Sequence, residues 1–190
     1  MVFRSVPKLT KDDELRSFAR VVVRGGTYSP ERTHDEVVEA VRAAGEAAPG
    51  SRAASLIDEA KADLVADAES WPAVTDFDRL QTVFAALESR DVPVLQAIND
   101  HWTAKAELDR RAQERLPCRG VVWFTAPDVW HAVDHGMLEL NVWHPDSANA
   151  AEGDALLDEV IAALAAEDIR AHFDEGRIEV SAHWHRRPAA

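Results

Sequence analysis

The chain has 190 residues, of which 46% are hydrophobic and 29% are charged, values typical of a folded globular protein. Asp and Glu number 34 against 21 Lys and Arg, so the formal net charge is -13. A negative field repels the phosphates of nucleic acids and of anionic lipids, so we expect no nucleic acid and no membrane as a partner. The same field favours a protein partner with a basic surface.

The cysteine content and the hydrophobicity of the segments limit the kind of site and the cellular location that we expect. Cys118 is the only cysteine, which excludes an internal disulfide and a thiolate zinc site. The N-terminal segment has no apolar run of signal-peptide length, and no segment approaches about 18 consecutive apolar residues. We therefore expect a cytoplasmic protein without a cofactor, and the sequence leaves its oligomeric state open.

Residues 1–90 carry apolar side chains at helical spacing in four successive segments. Thr10 is the expected N-cap of the first segment, and Gly25 with Gly26 ends it. Residues that favour helix starts precede the second and fourth segments: Ser29 with Pro30 for the second, and Thr75 or Asp76 for the fourth. The third segment, residues 51–70, is defined by the helical spacing itself.

After Asp91, short β-rich segments alternate with helical ones. The final segment, DIRAHFDEGRIEVSAHWHRR, is patterned as a β-hairpin with Glu175 and Gly176 at its turn. The other predicted strands are residues 92–98, 120–125 and 137–143. The segments predicted as helices are DHWTAKAELDRRAQERL, PDVWHAVDHG and NAAEGDALLDEVIAALAAED.

These elements predict an α+β fold: a helical N-terminal part packed on a mostly antiparallel sheet of about five strands with a C-terminal β-hairpin. Residues 1–90 form the mainly helical part and residues 91–190 the sheet-containing part. Because the sequence shows no flexible linker and no repeat, we predict one domain over residues 1–190.

Two histidines one residue apart, His183 and His185, suggest a ligand or metal site near the end of the chain. In a hairpin with a two-residue turn, both lie on the face opposite Trp184 and point toward water. His172 in the same hairpin lies on the order of 13 Å from His183, too far to share a metal ligated at about 2 Å. Since a stable zinc site usually needs three or four protein ligands, we assign no metal and keep His183 and His185 as candidate binding residues.

A second histidine pair, His131 and His135, has helical i and i+4 spacing. This spacing matches half of an HExxH zinc motif, but Ala132 stands where that motif has its Glu. A solvated helix end, where histidines complement the helix dipole, is the alternative interpretation. If the protein is an enzyme, His131 or His135 acts as acid or base beside Asp128, in a pocket between this helix and the sheet.

Tryptophan is frequent in the second half of the chain. Trp123, Trp143 and Trp184 lie on predicted strands, and Trp130 lies on a predicted helix. Indole rings combine a broad apolar surface with an N–H donor, so they occur both in cores and at interfaces. One candidate site is therefore an aromatic-lined groove near Trp123, Asp128, Trp130, Trp143 and Trp184. The candidate binding residues are Trp123, Trp130, Trp143, His183 and His185.

Three stretches carry a resemblance to a known family: WPAVTDFDRLQTVFAALESRDVPV, RGVVWFTAPDVWHAVDHGMLELNVW and the terminal RIEVSAHWHRR. They resemble a bacterial family common in actinobacteria, domain-of-unknown-function family six-eight-nine-one. Its relatives tend to carry a Gln-Asp pair where this chain has TAPD, so Asp128 matches the family Asp. The resemblance implies a soluble α+β domain over most of the chain and supplies no activity.

The sequence has no G-x-S-x-G elbow, P-loop, dinucleotide glycine fingerprint or calcium loop, and so lacks the signatures of several common enzyme classes. Our leading hypothesis is a cytoplasmic binding module that uses its acidic surface or the aromatic groove. An immunity-like protein that neutralises a basic toxin is one version. The alternative is an enzyme of unrecognised type with a His/Asp site near residues 128–135.

Overall fold

A computed structural model describes residues 9–188. Contacts divide the described chain into two compact units, one that ends at Ser70 and one that spans Trp71–Arg186. The predicted change near residue 91 separates helical from strand-bearing sequence, whereas the compact units divide at residue 70, because the fourth helix packs with the sheet. The single domain over residues 1–190 stays a prediction.

In its described part, the first unit contains α1 (Lys11–Gly25), α2 (Pro30–Ala43) and α3 (Pro49–Ala68). Thr10 accepts a hydrogen bond from the N–H of Asp13, and the Asp13 carboxylate accepts one from the N–H of Thr10. This reciprocal capping confirms the predicted start of α1. The three helices bury a small core of Leu15, Ala19, Val37, Val41, Ala53, Leu56 and Ile57.

The second unit contains the sheet and confirms the predicted strands within a few residues, except that the last strand ends at Ser181. Trp184, predicted on that strand, lies in the segment beyond it, where its N–H donates to the carbonyl of Ala132 in a helix instead of to the other strand of the hairpin. The helix predicted over residues 149–168 begins later, because Asp154 is its N-cap and accepts the N–H of Ala151 from the preceding loop. The elements are α4 (Asp76–Glu88), β1 (Val94–Ile98), α5 (His101–Glu114), β2 (Val121–Thr125), α6 (Ala126–His135), β3 (Met137–Trp143), α7 (Ala155–Ala166), β4 (Arg170–Asp174) and β5 (Arg177–Ser181).

The five strands form one mixed sheet in the order β1-β2-β3-β5-β4. Only β1 and β2 are parallel, and the helix α5 provides the crossover that a parallel pair requires. The other pairs are antiparallel, and the C-terminal hairpin has the predicted register, with Phe173 opposite Ile178. The predicted α+β fold with a mostly antiparallel sheet is confirmed.

Helices cover both faces of β2. Val122 and Phe124 join the main core under α4, α6 and α7, whereas Val121 and Trp123 face α5. This two-sided covering explains why β2 is apolar at four successive positions. Within residues 9–188, no helix combines the length and apolarity that crossing a bilayer requires.

Candidate functional site

After β5 the chain runs back along α6. The N–H of Trp184 donates to the carbonyl of Ala132 at 3.4 Å, and the N–H of His183 donates to Asp76 Oδ2 at 3.0 Å. Trp184 is 4% exposed and belongs to the main core, where it anchors this segment. These contacts hold the segment after β5, residues 182–186, against the helices of the sheet unit, Trp71–Arg186. This segment is called the tail below.

The tail places its two histidines in a stack of rings. His183 and His185 lie parallel with centroids 5.1 Å apart, and His185 stacks on Trp71 at 4.4 Å. The His183 ring rests on Gly136, since a Cβ at that position would lie 2.5 Å from His183 Cε1. The histidine side chains are therefore oriented by neighbours instead of extending freely into water.

Two further histidines lie on α6, against which the tail runs, and the four residues His131, His135, His183 and His185 are called the histidine patch below. His131 and His135 have ring centroids 4.8 Å apart, and His135 directly precedes the glycine on which His183 rests. Both side chains are exposed. Folding thus gathers two pairs that are about fifty residues apart in sequence, but within the described residues no three His, Cys, Asp or Glu side chains are arranged to hold a metal ion.

Asp128 has a structural role at the other end of α6. Its Oδ2 accepts hydrogen bonds from the N–H and the hydroxyl of Thr125, both at 2.7 Å. In the described part of the chain, no hydrogen bond joins Asp128 to His131 or His135, and four surface cavities are lined by other residues. Asp128 is therefore engaged at the start of α6, and the acid or base role of His131 or His135 stays a prediction.

We expect the variant Asp128→Ala to lower the free energy of unfolding by about 0.3–1.5 kcal/mol, because it removes the N3 carboxylate of the capping box that starts α6. Urea denaturation followed by circular dichroism measures this change. Glu152→Ala is the matched control, because Glu152 is an exposed acid in a loop. Equal stability of Asp128→Ala and wild type would contradict the capping role.

His144 is bound within its own loop. Its Nε2 lies 2.9 Å from Asp154 Oδ2. The N–H of Ala151 and, second, the His144 ring lower the pKa of Asp154 by stabilising its charged form. His144 therefore closes the turn before α7, and among residues 9–188 no ring contact or hydrogen bond joins it to the four residues of the histidine patch.

The tryptophans do not line one groove, because the sheet separates them. Trp123 and Trp143 meet edge to face at 5.0 Å on the face that α5 covers. Trp184 packs against Phe124 at 5.9 Å on the opposite face, and Trp130 is half-buried on α6. The aromatic groove predicted from the sequence is wrong in that respect, while ligand binding by individual residues stays a prediction.

A chain of rings that sequence reasoning missed leads from the sheet to the surface. His101 lies 6.4 Å from Trp143 and 4.5 Å from Trp102 between ring centroids. Trp102 is 65% exposed, more than any other large hydrophobic side chain among residues 9–188. Helical periodicity alone does not show which side of α5 meets the sheet, so the sequence could not identify this exposed indole.

The negative charge is concentrated in the sheet unit. Trp71–Arg186 contains 21 Asp and Glu against 10 Lys and Arg, a net charge of -11. The remaining residues contain 13 against 11, a net charge of -2. Residues 120–169 contain ten acidic side chains and no Lys or Arg. The acidic surface is thus a property of one unit, chiefly of its loops and of helices α6 and α7.

Together these features define an acidic α+β protein with a mixed five-stranded sheet. A family model described as a domain of unknown function (DUF6891) matches residues 9–188, so the chain belongs to this family. The family predicted from the sequence is confirmed, while its occurrence in actinobacteria stays a prediction. No curated protein and no solved structure matches the chain.

Proposed function

We propose that the protein is a cytoplasmic binding module whose sheet unit takes a protein partner with a basic surface. The observation that supports the proposal is the net charge of -11 on Trp71–Arg186, with no Lys or Arg between residues 120 and 169. Such a field accelerates the approach of a basic partner and disfavours acidic ones. An immunity-like protein that neutralises a basic toxin is one form of this module.

Several acids of the stretch are available to a partner. Glu139, Glu159 and Asp168 form ion pairs with arginines from outside the stretch. Asp146, Glu152 and Asp158 are exposed, and no ion pair engages them among the described residues. These three carboxylates lie in the loop before α7 and in its first turn.

The test compares wild type with a variant in which these three acids are neutralised. We expect Asp146→Asn/Glu152→Gln/Asp158→Asn to bind the partner about tenfold more weakly, since three favourable charges are lost. Immobilised wild-type protein first captures polypeptides from native lysate. The captured polypeptide is then purified and titrated against both proteins by calorimetry, at low and at high salt.

The matched control neutralises three exposed acids of the first unit, which contains α1, α2 and α3. It is the variant Glu46→Gln/Asp58→Asn/Glu69→Gln. We expect this variant to bind within about twofold of wild type, because the net charge changes equally but away from the acidic stretch. If no basic polypeptide is retained, or if both variants lose affinity equally, the proposal fails.

A further inference from the structure

Within residues 9–188, no strand pairs with the outer side of β4, so one edge of the sheet is open. Strand β4 is the last in the order β1-β2-β3-β5-β4 and pairs with β5 along one side. The two-residue turn makes Asp174 and Arg177 a hydrogen-bonded pair, so alternate residues back to Arg170 bond to β5. The backbone groups of Ala171 and Phe173 therefore point outward. An edge of this kind is a template for another extended strand.

A groove lies beside this edge. It has a volume of about 550 Å³ and runs between β4 and α7. Because the side chains of Ala171 and Phe173 face the helical layer, a strand added at the edge would place alternate side chains over the groove. The groove is lined by Ile161, Ala165, Asp168, Ile169, Arg170 and Ala171.

The sequence of β4, RAHFD, is complementary to itself in an antiparallel pair centred on His172. In this register Arg170 lies opposite Asp174 of the other copy, and Ala171 lies opposite Phe173. The backbone groups of Ala171 and Phe173, which point away from β5, form the hydrogen bonds between the two copies in this register. We infer that two copies of the chain pair through β4 in this register and join their sheets into one.

The charges of β4 select both the occupant and the register. Arg170 and Asp174 are exposed, and neither has an ion-pair partner in its own chain among residues 9–188. Two-fold symmetry forms the Arg170–Asp174 pair twice. A shift by two residues places His172 opposite one of these residues and loses both ion pairs. In the symmetric register, Phe173 of the second copy lies beside the groove next to Ala171, which buries apolar surface.

The contact is small, since β4 has five residues. Stable interfaces usually bury at least about 1,200 Å² in total, so we expect a reversible dimer whose fraction rises with protein concentration. The pairing strand contributes one Arg and one Asp and so has no net charge. This inference is therefore independent of the proposed binding of a basic partner.

Charge reversal provides the decisive experiment, read out by analytical ultracentrifugation of the full chain over a range of concentrations. We expect Arg170→Asp to weaken dimerisation at least about tenfold, because symmetry replaces two ion pairs by two like-charge contacts. Asp174→Arg has the same effect. The double variant Arg170→Asp/Asp174→Arg restores dimerisation to within about threefold of wild type. An equimolar mixture of the two single variants forms heterodimers.

The groove and the backbone edge are tested separately. Ala165→Arg places a charged side chain in the groove and weakens dimerisation, whereas Ala162→Arg, an exposed position of the same helix outside the groove lining, leaves it unchanged. Hydrogen exchange of the Ala171 and Phe173 amides slows as the dimer fraction rises. Circular dichroism verifies that each variant is folded.

Three outcomes would overturn the inference. The wild type sediments as a monomer at every concentration, or the single charge reversals leave its dimer intact, or the double variant and the mixed single variants fail to associate. A dimer with unprotected Ala171 and Phe173 amides has its interface elsewhere and also overturns it. None of these results bears on capture of a basic partner through the acidic stretch.

Discussion

Replacing Trp184 by alanine lowers the free energy of unfolding by about 3–5 kcal/mol, as expected for a large aromatic side chain removed from a core. Trp184 is 4% exposed and meets Phe77 and Phe124 edge to face at 4.9 and 5.9 Å. The cavity left behind lies between helix α4 and strand β2, which the rest of the fold holds in place. Chemical denaturation followed by far-ultraviolet circular dichroism measures the loss.

The matched control is Trp102→Ala, which removes the same side chain from a position that is 65% exposed. We expect it to change the free energy of unfolding by less than about 0.5 kcal/mol. Trp184→Phe keeps an aromatic ring in the core and should lose less stability than Trp184→Ala. Similar losses for Trp184→Ala and Trp102→Ala would show that Trp184 does not anchor the tail.

Gly136→Ala is expected to destabilise the protein through two separable effects. Gly136 ends α6 with φ of 68°, a left-handed conformation that costs an alanine about 1–2 kcal/mol. Its new Cβ would also lie 2.5 Å from His183 Cε1, so the imidazole ring must move out of its stack on His185. Denaturation of the single variant measures the sum of the two effects.

A double-mutant cycle separates the two contributions. His183→Ala removes the ring that an alanine at position 136 would meet. Gly136→Ala should therefore lower the free energy of unfolding less in the His183→Ala background than in the wild type. Gly153→Ala is the control for backbone conformation alone, because Gly153 has φ of 88° with nothing within 4 Å of the added Cβ. If the two substitutions of the cycle are additive, the contact between Gly136 and His183 has no energetic importance.

The roles of Trp184 and Gly136 explain how the rings of the histidine patch come to be arranged. Trp184 and Gly136 position the tail, and the rings of His183 and His185 are arranged on top of that positioning. The described residues supply no third metal ligand there, and Asp128 is occupied in capping α6. The stacking of His183 on His185 therefore follows from tail docking, while ligand binding by these two residues stays a prediction.

Some of these roles were readable in the sequence. Thr125 and Asp128 match the spacing of a capping box, a signal of a structural carboxylate that our acid–base hypothesis did not take into account. The concentration of acids between residues 120 and 169 can also be counted directly. Assigning that charge to a separate compact unit required the structure, because the boundary at residue 70 carries no linker signature.

The sequence by itself determined the local elements, because their signals act over a few neighbouring residues. Thr10 and Thr75 predicted helix starts, Gly26 a helix end, and the turn at Glu175 and Gly176 the hairpin register. Each feature depends on hydrogen bonds or backbone angles within one turn of the chain. The α+β class followed from the alternation of these elements.

Only the tertiary structure decided how distant elements meet. It placed β1 parallel to β2, Trp123 and Trp184 on opposite faces, and β4 at the sheet edge. These outcomes depend on packing between segments tens of residues apart, which periodicity along one segment does not encode. The self-complementary pattern of β4 was present in the sequence, but it acquires meaning only because the strand order leaves that edge open.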